Sequence, residues 1–162
     1  MGTRTFYENF SKTNFPDIKV RVWQDKSKPW VANFYIGDRE GKFSDYITKQ
    51  VIPKLESVKE IGTEFNFKPY SDLEVDEIPS KPEIPDNIKE LALNPDNTVA
   101  GVRFKFKTAF PQLGDFKIHA PLSPGVVGIE TSSDLSEKEL DEIQQLGKEL
   151  VSVTAGLKVF KK

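Results

Sequence analysis

Val99-Ala100-Gly101-Val102-Arg103-Phe104-Lys105-Phe106-Lys107-Thr108 is the stretch on which the reading of this fold turns. From Val102 to Lys107 apolar and cationic side chains alternate strictly, and successive side chains of a β-strand point to opposite faces. The pattern predicts a strand over Val99–Thr108 with Phe104 and Phe106 toward a core and three cations toward solvent.

Two other runs carry the same polarity. In Ile18-Lys19-Val20-Arg21-Val22-Trp23, Lys19, Arg21 and Trp23 oppose Val20 and Val22; in Phe116-Lys117-Ile118-His119, Lys117 and His119 oppose Phe116 and Ile118. Placed in one sheet, these strands give an open face bearing Lys19, Arg21, Trp23, Arg103, Lys105, Lys107 and Lys117. Such a face suits single-stranded nucleic acid or another polyanion, because cations follow phosphates while an exposed aromatic stacks on a base. A half-buried antiparallel strand also needs a solvated face, so the same alternation has a purely structural reading.

Outward from these strands, Gln24–Pro29 is a turn that returns the chain as a second strand, Trp30–Ile36, completing a hairpin. Phe43, Tyr46, Ile47, Val51, Leu55 and Val58 then recur at helical spacing, with Ser44 as a candidate cap and a break expected near Lys49 because Pro53 lies inside the pattern. Glu64–Lys68 reads as a third strand. In the C-terminal part, Phe116–Ala120 and Val126–Thr131 are strands separated by a turn at Pro121–Gly125. Ser136 and Glu139 form a capping box, Leu135 and Leu140 a hydrophobic staple, and Leu140, Ile143, Leu146, Leu150 and Val151 the buried stripe of the helix that follows. Gly156 precedes a terminal strand, Leu157–Phe160.

Between the halves, 1–68 and 98–162, lies an acidic, Pro-rich connection, 69–97. Residues 63–97 carry three basic and nine acidic groups and five of the eleven prolines, which disfavours regular structure over most of the segment. Asp86 or Asn87, followed by Ile88, Leu91, Ala92 and Leu93, marks one short helix inside it. Both halves run from strands to helix to strand, a weak suggestion of duplication, and each alone is marginal in size. The expected architecture is one α+β domain over 1–162, with a mostly antiparallel sheet of about six to seven strands, two main helices on one face, and a short helix in the connection.

Composition narrows the function. The 162 residues contain no Cys, which excludes disulfides, thiolate metal sites and cysteine nucleophiles. His119 is the only histidine, so no multi-histidine metal site exists, and at a strand end it is expected to be structural. The net charge of -2 with a mean hydropathy of -0.47 fits a soluble chain; no apolar run reaches membrane-spanning length and no signal peptide is evident, so the expected location is cytoplasmic, with no membrane partner. Gly37–Ser44 sits where a phosphate loop would but has the wrong glycine spacing, and Asp72–Glu83 has oxygen ligands near calcium-loop positions but Glu77 where a glycine is required. No cofactor and no metal is expected.

The preferred expectation is a non-catalytic binding domain that engages a polyanion or single-stranded nucleic acid through the basic face. The alternative is a protein-interaction module with an apolar groove near 69–97, where Tyr70, Ile78 and Ile84 are spaced apolar residues. A small enzyme with a carboxylate- or lysine-based site is the third class, favoured if a pocket buries a charged pair such as Glu130 with a lysine. The acidic segment is further expected to compete internally with anions for the basic face.

Overall fold

The computed structural model describes residues 2–81, 83–123 and 125–162. Met1, Pro82 and Pro124, the last inside the turn expected over Pro121–Gly125, lie outside the described residues. The chain opens with helix α1 (Arg4–Asn14), whose cap is the Thr3 hydroxyl accepting from Phe6 N at 3.0 Å. Strands β1 (Lys19–Gln24) and β2 (Val31–Gly37) follow as an antiparallel hairpin with Trp23 opposite Asn33. A π-helical turn (Ile47–Val51) runs into α2 (Ile52–Glu56), and β3 (Glu64–Pro69) returns parallel to β2. The break expected near Lys49 thus takes the form of the wide turn, through which the helical run passes into α2 with Pro53 at its second position.

The connection contributes α3 (Asp72–Val75) and α4 (Asp86–Leu93); the residue capping α4 is Pro85, not Asp86 or Asn87. The second half is α5 (Val99–Ala109), a 3-10 turn (Pro111–Leu113), β4 (Phe116–Ser123), β5 (Val126–Thr131), α6 (Glu137–Gly147), a second 3-10 turn (Lys148–Leu150) and β6 (Gly156–Lys161). The capping box of Ser136 and Glu139 forms with both reciprocal hydrogen bonds. Among the described residues no helix is long and apolar enough to cross a membrane.

The chain is α+β, but two expectations fail. The strands do not form one mostly antiparallel sheet; they form two three-stranded mixed sheets, ordered β1-β2-β3 and β4-β5-β6, each with one antiparallel and one parallel pair. The parallel pairs arise because the link to the third strand of each sheet is a helical crossover, which a tight hairpin cannot replace. And Val99–Thr108 is helical. The Thr98 hydroxyl caps it through Gly101 N, and Gly101, Val102, Lys105 and Phe106 are buried, a spacing that belongs to a helix face, while Phe104 is 55% exposed. Val102 and Phe106 satisfy both a period of two and a period of 3.6, so the short alternation carries two readings, and the cap together with tertiary burial selects the helix.

With α5 helical, the two halves share one αββαβ order of elements. α1 and α5 each span 11 residues, begin after a threonine cap and end at a phenylalanine with matching dihedrals, Phe15 (φ -137°, ψ 73°) and Phe110 (φ -130°, ψ 69°). Their ends share sequence, Lys12-Thr13-Asn14-Phe15-Pro16 against Lys107-Thr108-Ala109-Phe110-Pro111. Each unit has its own core: Tyr7, Val22, Phe34, Ile36, Ile47 and Leu55 in the first, and Val102, Phe106, Leu113, Ile129, Ile143 and Leu150 in the second. They are stitched together where the loop after Leu150 meets the chain start. Val153 joins the first core, Val153 N donates to Gly2 O, and the Thr3 hydroxyl donates to Ala92 O at 2.7 Å.

Candidate functional site: a cleft between the halves

The alternation in β1 holds as read: Val20 and Val22 face the first core, and Lys19, Arg21 and Trp23 take the other face. The remaining candidates do not join them. Lys117 lies on β4 in the second sheet, Arg103 and Lys107 are exposed on α5, and Lys105 is fully buried, its ammonium donating to Asn97 Oδ1 at 3.0 Å and its pKa lowered by burial. The single basic sheet face is therefore corrected to three separate locations, because it required α5 to be a strand.

The acidic connection does lie over the β1–β2–β3 face. Asp76 accepts from the Tyr35 hydroxyl at 2.6 Å and from Lys68 Nζ at 2.8 Å, Arg21 Nη2 donates to Pro79 O at 3.1 Å, and Lys19 stands 5.8 Å over the Tyr70 ring. Hydrogen bonding from Lys68, then from Tyr35, holds the Asp76 carboxyl below its usual pKa. Of the apolar residues of this segment, Ile84 is buried in the second core and Tyr70 and Ile78 are half-buried, while Val75 and Leu93 are exposed.

Where the connection passes from the first half to the second it walls a cleft of about 920 Å³. Trp23 and Pro29 come from the first half, Pro79 and Ile84 from the connection, and Val126, Leu146 and Leu157 from the second half, so its walls are mostly apolar. Its floor is charged. Arg4, the first residue of α1, pairs with Glu149 through Nη1 and Oε1 at 3.2 Å, the two side chains being 10% and 4% exposed. The Arg4 guanidinium also lies 4.0 Å over the ring of Trp23, a stacking worth up to about 2 kcal/mol when desolvated. Trp23 is therefore neither core nor free surface: it is half-buried and covered on one side by Arg4.

Lys148, next in chain to Glu149, completes the floor. Its Nζ donates to Ala155 O and, at 3.4 Å, to Val153 O. Burial, assisted by the nearby Arg4 charge and opposed by Glu149, brings its pKa down to about 8. Burial raises the pKa of Glu149 and lowers that of Arg4. Arg4 Nε and Glu149 Oε2 are buried without hydrogen-bond partners among the described residues, an arrangement costly unless something else is gained by it. Behind the floor, Glu8 accepts from Val22 N and contacts Lys81 at 3.1 Å and Arg21 at 3.7 Å.

Other candidates are weaker. A hollow of about 510 Å³ beside Phe15 and Tyr46 has no buried residue in its lining, and its Asp17–Arg39 ion pair is exposed. His119 Nε2 lies 3.5 Å from Glu130 on the outer face of the second sheet, away from the cleft, so the buried charged pair is not made by Glu130. The Asp38–Lys42 loop is an ordinary turn closed by its own backbone and by Asp38. No cluster of metal-ligating groups occurs among the described residues.

Sequence reasoning missed Arg4, Lys148 and Glu149, although a signal existed. A cation at the first position of a helix and an acid just beyond the end of one both oppose the helix dipole. Lys148 and Glu149 also interrupt an apolar stripe. Comparison with known proteins adds nothing to the geometry: no family model, no curated protein and no solved structure matches this chain.

Proposed function

We propose that this chain is a binding domain for a small organic anion with an apolar body, held in the cleft between the two halves. The observation that carries the reading is the clustering of two buried cations, Arg4 and Lys148, about one carboxylate, Glu149, in a cleft with mainly apolar walls whose lining also holds Lys26, Asp25 and Glu83. A charge in a partly desolvated site attracts its counterion more strongly than at a surface, and apolar walls supply area for the rest of the ligand. Electrostatic engagement of an anion is thus retained from the sequence reading and moved from an open face to an enclosed site, with Trp23 shared between the two.

The reading is tested by titrating the Trp30→Phe variant, in which Trp23 is the remaining tryptophan, with 8-anilinonaphthalene-1-sulfonate and with uncharged N-phenyl-1-naphthylamine. The expected result is energy transfer from Trp23 and tighter binding of the anion, with that preference reduced in Lys148→Met. Equal affinity for both probes, or no transfer from Trp23, defeats the proposal.

A second reading is kept for single-stranded nucleic acid. Arg103 Nη1 donates to Phe116 O at 3.1 Å, which ties α5 to the start of β4, and Lys107 follows one turn along α5 with Phe104 exposed on the same helix. Anisotropy of labelled random DNA and RNA at low and physiological salt tests it. Binding that falls steeply with salt and is weakened by Arg103→Gln supports it, and absence of binding at low salt removes it.

A further inference from the structure

We infer that Lys148 is a covalent attachment point whose side-chain nitrogen forms an imine with a carbonyl-bearing organic anion, a 2-oxo acid, bound in the cleft. This inference rests on the binding reading above and adds a bond and a substrate class to it. The geometry comes first. Lys148 lines the cleft, and its nitrogen is held by two backbone carbonyls, Val153 O and Ala155 O, that accept two of its N–H groups. No third acceptor meets it among the described residues. In the neutral amine the remaining tetrahedral position is the lone pair, so the two carbonyls fix the nitrogen while leaving its nucleophilic valence unused.

Protonation state agrees with this placement. At a pKa of about 8, roughly a tenth of Lys148 is free amine at pH 7, against well under a hundredth for a lysine near its ordinary value of about 10.4. Desolvation and a neighbouring cation are the two means by which lysine nucleophiles are activated, and here the cation is Arg4, with Glu149 acting in the opposite sense. Arg4 has a second use. Its guanidinium, anchored by Glu149 and laid on Trp23, is a pre-organised carboxylate partner beside the amine. A 2-oxo acid places an electrophilic carbon next to a carboxylate, which matches an amine next to a guanidinium. Glu149 is a positioning residue, holding Arg4.

The step balances without an external reagent. The Lys148 lone pair forms the C–N bond as the carbonyl π pair moves to oxygen; one proton passes from nitrogen to that oxygen, giving a carbinolamine. Loss of the hydroxyl with a second proton from nitrogen releases one water and leaves the C=N bond. The imine nitrogen, once protonated, still donates to one of the two carbonyls.

The test uses the full chain incubated with pyruvate and sodium cyanoborohydride across pH 6–9, with peptide mapping by mass spectrometry and, in parallel, displacement of 8-anilinonaphthalene-1-sulfonate by pyruvate. The expected result is reductive labelling at Lys148 at least tenfold ahead of any other lysine, and at least tenfold slower labelling there by uncharged hydroxyacetone. If the fluorescent anion binds but pyruvate labels lysines in proportion to exposure, the covalent inference is overturned and the binding reading survives. If neither the anion binds nor Lys148 is labelled selectively, both fall.

Discussion

Arg4 Nη1 and Glu149 Oε1 meet at 3.2 Å across the seam between the two αββαβ units, the first from the start of α1 and the second from the turn that ends α6. The pair is buried and each partner has one atom without a hydrogen bond among the described residues, so the two charges depend on one another.

Removing one member should therefore cost far more than removing both. Arg4→Met leaves a buried carboxylate alone and is expected to destabilise by about 3–5 kcal/mol, whereas Arg4→Met with Glu149→Leu should recover most of that loss. Urea denaturation of the two single variants and the double variant measures the coupling.

The stability profile with pH should carry the signature of Lys148. Its folded pKa of about 8 lies below the unfolded value of about 10.4, so the folded state binds fewer protons between them and stability rises with pH across that window, by at most about 3 kcal/mol. Glu149 acts at the other end. Its raised pKa means stability is fully present below the unfolded value of about 4.3 and is lost as pH rises through the folded one. The difference between wild type and Lys148→Met, followed by denaturation from pH 7 to 10.5, should slope upward; a flat difference refutes the assignment.

Lys105 should behave as a core residue. Lys105→Ala is expected to cost about 2–4 kcal/mol, because it empties a fully buried site, and to leave nucleic-acid and anion affinity unchanged in the folded fraction. Thermal melts and the two binding titrations together separate this from a role in ligand contact.

Asp76 fastens the connection to the first sheet. Asp76→Ala deprives the Tyr35 hydroxyl of its acceptor and is expected to destabilise by about 1–3 kcal/mol, with faster amide exchange over 70–81. Neutralising Asp72, Glu74, Asp76 and Glu77 together should tighten anion binding at Lys19 and Arg21; unchanged affinity would show that the acidic segment does not compete there.

The physical difference between what was and was not legible is visible in α5 and α6. α6 was readable because a capping box, a staple and an apolar stripe at helical spacing all point the same way. α5 was not, because Arg103-Phe104-Lys105-Phe106-Lys107 fits a strand locally, and only the burial of Val102, Lys105 and Phe106 against the second sheet shows which period governs. The shared order of the two halves is hidden for the same reason: Lys-Thr-x-Phe-Pro recurs at Lys12 and Lys107, but a strand over Val99–Thr108 has no counterpart ahead of β1.

By itself the sequence determined the α+β class, the β1–β2 hairpin and its polarity, the break ahead of Pro53, the start of α6 and the absence of cysteine chemistry, whereas the end of α6 at Gly147, short of Leu150 and Val151, came only with the structure. These are local properties, set by side-chain period, by proline and by hydrogen bonds a few residues apart. Tertiary structure alone decided that the strands divide into two mixed sheets, that Lys105 is core, and that Arg4 meets Lys148 and Glu149 beneath Trp23. Contacts between residues more than a hundred positions apart depend on how the two units dock, and a lone arginine, lysine or glutamate looks the same in sequence whether it faces water or a buried partner.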